Sequence, residues 1–138
     1  MTGVQTCALP ICGSVTVTNG TFVLNLTNDE IFANSVVNNS HVILDDNVNQ
    51  NYQVSGGISG SGDVLKTGAN TVTYIGSTAN TFNGLTTVDQ GVLVLNKTAG
   101  VDAITRGGLL VTNGADVQVL ADEQIGRASC RERVYSSV

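Results

Sequence analysis

Between Ile58 and Asn96 the chain offers no run long enough for a helix. It offers instead short stretches of alternating apolar and polar residues, Asp63 to Lys66, Thr71 to Ile75, Leu85 to Val88 and Gly91 to Leu95, broken at regular intervals by Gly, Asn, Ser and Asp. A period of two sends successive side chains to opposite faces of a strand, and Gly and Asn at the breaks supply tight turns. The pattern therefore restricts the chain to short strands joined by corners. Composition agrees: there is no Trp and aromatic residues make up only 4%, so a core must be built mainly from Val, Leu and Ile. Branched aliphatic side chains of this kind suit stacked strands.

Internal similarity extends the pattern over most of the chain. The segments Val17 to Leu24 (VTNGTFVL), Val88 to Leu95 (VDQGVLVL) and Val111 to Gln118 (VTNGADVQ) align without gaps as strand, polar turn, strand, and Val37 to Leu44 and Ile58 to Leu65 are weaker copies. The copies start at Val17, Val37, Ile58, Val88 and Val111, and such spacing is what one coil of a β-solenoid takes. The interval from Ile58 to Val88 is the longest, because the Thr71 to Ile75 strand and the Ser77 to Asn80 turn fall within it. A single coil leaves its apolar face and both strand edges uncovered, and stacking parallel strands covers both. The expected fold is all-β, a right-handed parallel β-helix of about five coils over residues 13–125, with a β-sandwich as the alternative. Val17, Leu24, Val64, Val72, Val88, Leu93 and Val111 are expected inside, and Thr16, Thr73, Thr87 and Gln118 outside.

The blocks Gly62-Asp63-Val64-Leu65-Lys66-Thr67-Gly68, Thr71-Val72-Thr73-Tyr74-Ile75-Gly76, Asn80-Thr81-Phe82-Asn83-Gly84-Leu85-Thr86-Thr87-Val88 and Gly91-Val92-Leu93-Val94-Leu95 stand in a recognisable order. Together they resemble the autotransporter-associated β-strand repeat, which reads G-x-L-x-K-x-G, T-L-T-L-x-G, N-x-Y-x-G-x-T-x-V and G-x-L-x-L. Phe82 stands where that family favours Tyr, and Leu85 replaces its usual small residue. The resemblance is specific over Gly62 to Leu95, looser over Val101 to Gln124 and weak before Asn51. It implies a structural segment of a passenger at the bacterial cell surface or secreted from it, associated with efficient export and forming a stalk whose partners are the neighbouring coils.

The two ends read differently. The opening stretch, MTGVQTCALPI, resembles the translation of a common sequencing adapter, and Ile125 to Val134 resembles its companion. Residues 1–12 and 126–138 are accordingly set apart from the solenoid. Cys7, Cys12 and Cys130 all lie in or against these ends, so neither a disulfide framework nor a zinc site is read from them. No apolar run approaches the roughly 20 residues of a spanning helix, so no membrane insertion is expected. The net charge is -5, and outside the ends the bases are Lys66, Lys97 and Arg106. Phosphate contacts need clustered Lys and Arg, which argues against nucleic acid as a partner.

Residues able to carry chemistry are few. Asp45 and Asp46, followed by Asn47 and Asn49, read as a solvated turn, because no calcium-loop spacing accompanies them and adjacency in sequence does not build a pair of glycosidase carboxyls. His41 alternates to the polar side of its strand with no nucleophile motif nearby. The glycines from Ser55 to Gly62 lack the Lys and Ser/Thr of a phosphate loop and read as a coil corner. Outward Asn and Thr rows, with Asn19, Asn38, Asn39, Asn80, Asn83 and Asn113 near the strand ends, could form a face for a glycan or a surface protein. No catalytic, cofactor-binding or metal-ligating residue is assigned, and the chain is read as a non-enzyme. An adhesin module and a β-helical polysaccharide-active fragment are the alternatives. For the latter, Asp45, Asp46, Lys66 and Arg106 would have to converge in one groove.

Overall fold

The computed structural model describes residues 3–5, 13–26, 29–44, 50–104, 107–120 and 124–125. After β1 (Gly3–Gln5), a first coil carries β2 (Val15–Val17), β3 (Thr21–Leu24) and β4 (Ile31–Phe32), and a second carries β5 (Val36–Asn38), β6 (His41–Leu44) and β7 (Tyr52–Val54). The third holds β8 (Ile58–Ser59), β9 (Asp63–Lys66) and β10 (Thr71–Gly76), and the fourth holds β11 (Thr86–Val88) and β12 (Val92–Lys97). The fifth holds β13 (Asp102–Ile104), β14 (Leu109–Val111) and β15 (Asp116–Val119), and β16 (Gln124–Ile125) follows.

These strands stack into three walls. One runs β1-β3-β6-β9-β11-β14, a second runs β4-β7-β10-β12-β15, and the third is made of β2-β5-β8 and β13-β16. All of the strand pairings are parallel, which rules out the antiparallel β-sandwich. Five coil starts enclose about 4 turns of a β-solenoid with no helix among the described residues. The gap between β8 and β13 is filled by extended chain: the amides of Thr81 and Asn83 donate to Ile58 and Gly60 at 2.7 and 2.9 Å, and that of Asn80 donates to Asp102 at 2.9 Å.

Strand register corrects the phase of the repeat read from sequence. Val88 stacks on Lys66, not on Ile58, and the column it belongs to is Leu24, Leu44, Lys66, Val88 and Val111, whose members follow one another at nearly even spacing along the chain. The long interval disappears, and Ile58 to Asn96 is the greater part of two coils. The misalignment has a local cause. The turns after Val17 and Val37 lead from the third wall to the first, whereas those after Val88 and Val111 lead from the first wall to the second. The same strand-turn-strand wording therefore serves two different corners.

Alternation decides what faces inward. Val17, Leu24, Val64, Val72, Val88 and Leu93 are buried and Val111 packs against them, as expected, while Thr16, Thr73, Thr87 and Gln118 point outward. Each fully buried Val or Leu contributes about 1.5 to 3 kcal/mol. Phe22, Phe32, Tyr52, Tyr74 and Phe82 fill the wider parts of the same continuous core. At the corners, coils approach so closely that side chains do not fit: a Cβ on Gly84 would run into the Gly62 carbonyl, and one on Gly107 into that of Gly84.

Candidate functional site

Asp45, Asp46, Asn47, Asn49, Arg106 and the three cysteines lie outside the described residues. His41 occupies the outward side of β6, as its alternation predicts, and its Nδ1 hydrogen-bonds Oδ1 of Asp63 on the next coil. Both side chains are partly exposed, at 34% and 50%, so the contact belongs to the weak class of surface polar contacts. Among the described residues, no group of three or more His, Cys, Asp and Glu could hold a metal ion.

Lys66 is not in a groove. Alternation along β9 turns Asp63 and Leu65 outward and Val64 and Lys66 inward, and Lys66 is buried within the column between Leu44 and Val88. An unpartnered ammonium there would be prohibitive. Its Nζ instead donates to the carbonyls of Thr67, Gly68 and Gln90 at 2.8, 2.9 and 3.2 Å and to Oδ1 of Asn70 at 2.8 Å. Lys97 is also buried, donating to the Ile75 carbonyl at 3.0 Å with its Nζ 5.8 Å from the centre of the Tyr74 ring. Both ammonium groups of the described residues thus face the interior, while Asp29, Glu30, Asp63, Asp89, Asp102 and Asp116 keep contact with solvent. The described exterior is therefore acidic.

The asparagines divide in the same way. Asn19, Asn39, Asn83 and Asn113 are exposed at turns, and Asn113 adopts a left-handed φ of 51°. Asn113 Nδ2 and Thr112 Oγ1 donate to the same Asp89 carboxylate oxygen on the preceding coil, at 2.6 and 2.7 Å. Asn38 and Asn80 are buried, which removes them from any outward row. Asn38 donates from Nδ2 to the Asp63 carbonyl at 2.8 Å, one coil along. The glycine segment is not one corner: it carries β8 between two tightly packed bends, where a Cβ on Gly57 would lie 2.7 Å from the Thr78 side chain and Gly60 has φ +104°. No cradle for phosphate is left open there.

No family model, curated protein or solved structure matches the chain. What sequence reasoning missed is the interior polar set of Lys66, Lys97, Asn38, Asn70 and Asn80. The signal for Lys66 was present, since the alternation that puts Val64 inside puts Lys66 inside as well.

Proposed function

We propose that this chain is a structural segment of a bacterial surface or secreted autotransporter-like passenger, whose role is to carry a stalk outward and to support export by folding coil upon coil. The observation that supports this most directly is the use of the polar side chains: Lys66, Asn38 and Asn80 each bond across to a neighbouring coil instead of facing solvent. The even spacing of the column Leu24, Leu44, Lys66, Val88 and Val111 over successive coils supports the same reading.

The test is surface display. The whole chain is inserted between the export signal and the translocator of an autotransporter reporter, and its exposure is read with an external protease and an antibody. A stalk segment reaches the surface as a protease-resistant unit. Retention in the periplasm overturns the proposal.

A second reading, an adhesin module, is favoured by the outward Thr16, Thr73 and Thr87 and the exposed Asn19, Asn39, Asn83 and Asn113. Binding on a glycan array above background would establish it. Neither reading includes catalysis, and release of reducing ends from a polysaccharide panel would overturn both.

A further inference from the structure

The inward columns of the first wall are nearly interchangeable. One reads Phe22, Val42, Val64, Thr86 and Leu109, and the other reads Leu24, Leu44, Lys66, Val88 and Val111. A slip of one residue would turn every side chain inside out, but a slip of two keeps apolar residues inside. Hydrophobic burial is non-directional and discriminates weakly against that error. Something else must define the register.

The geometry points to Lys66 and Asn70 as a register key that fixes how the second, third and fourth coils sit on one another. Asn70 donates from Nδ2 to the Gln50 carbonyl, on the coil before, at 3.1 Å. Its Oδ1 accepts from Lys66, and Lys66 donates to the Gln90 carbonyl on the coil after. The two side chains form a polar relay through three coils inside a wall whose other inward residues, Thr86 apart, are apolar. A two-residue slip would displace Gln90 by about 6 to 7 Å along the strand, beyond the reach of Nζ. Gly91 closes the corner over this pair: a Cβ there would run into the Asn70 and Gly68 carbonyls and lie 2.9 Å from Lys66 Nζ. Specifying alignment is the best-attested use of buried polar residues in an apolar seam.

The test uses the full chain with Cys7, Cys12 and Cys130 replaced by Ser and two cysteines introduced on the outward side of β9 and β11. Leu65 and Thr87 are neighbours in the native register, so L65C with T87C forms a disulfide there. L65C with L85C, or with D89C, forms one only after a slip of two residues, because diagonal positions lie about 8 Å apart, too far to bridge. With Lys66 in place, only the native pair oxidises. In K66M, and in K66Q, whose shorter side chain does not span to Gln90, cross-linking of the slipped pairs is expected to rise about tenfold while β-sheet circular dichroism is kept. Cross-linking confined to the native pair in both variants overturns the proposal. So does loss of the β-sheet signal in both, since Lys66 would then be needed to form the fold and not to align it.

Discussion

The side-chain oxygen of Asn80 accepts the backbone amide of Ile58 at 3.0 Å, so a carboxamide completes a ladder that the backbone leaves open. The same group donates from Nδ2 to the Ala103 carbonyl at 2.7 Å on the opposite side. One side chain thereby bridges the coil before and the coil after, at the level where the third wall has no regular strand.

Replacing Asn80 by Ala leaves a buried N–H and a buried C=O without partners. The expected loss is about 2 to 6 kcal/mol, since each of the two orphaned groups costs about 1 to 3. Urea denaturation should show a lowered midpoint with an unchanged slope, because the surface exposed on unfolding stays the same.

Two glycine substitutions separate crowding from backbone strain. Gly100 has φ +83° and open space around its Cβ position, so Gly100→Ala carries only the left-handed penalty of about 1 kcal/mol. Gly84→Ala pushes a methyl into the Gly62 carbonyl and forces neighbouring coils apart, for about 3 kcal/mol. Thermal melts of the two variants should rank Gly84→Ala well below Gly100→Ala.

Thr86 faces inward between Val64 and Leu109, and its hydroxyl is buried with no hydrogen-bond partner. Thr86→Val keeps the shape and removes the unsatisfied group. A gain of about 1 kcal/mol in the same urea measurement is expected.

Tyr74 is fully buried, its hydroxyl has no partner, and burial raises its pKa well above the ordinary value near 10. A group whose folded pKa is raised contributes stability that is whole below the unfolded pKa and is lost as pH rises beyond it. Stability should therefore fall as pH climbs above about 10, where the unfolded chain releases this proton and the folded chain holds it. Tyr74→Phe should flatten that alkaline decline while keeping the ring beneath Lys97.

Much of the wall structure was legible. The stretches Asp63 to Lys66 and Thr71 to Ile75 fall on β9 and β10, and the expected inward residues are inward, because a period of two is a local property that burial on one side enforces. The phase of the repeat was not legible. Val17 and Val88 are followed by similar polar turns that bend different corners, and only pairing across coils tells them apart. Nor were the roles of Asn38 and Asn80 legible, since an Asn that caps a turn and one that reaches into the next coil look alike in sequence. Lys66 was readable in principle, since the alternation that turns Val64 inward turns it inward as well.

The even column from Leu24 to Val111 also fixes how far such a chain can reach. Each coil advances the axis by about 4.8 Å, whereas the same stretch fully extended would cover about 70 Å. Length is gained slowly, and every increment arrives with three walls hydrogen-bonded to the one beneath. A rod built this way resists bending at the expense of span, and it lengthens only in whole coils, so any change in reach comes in steps of about two dozen residues.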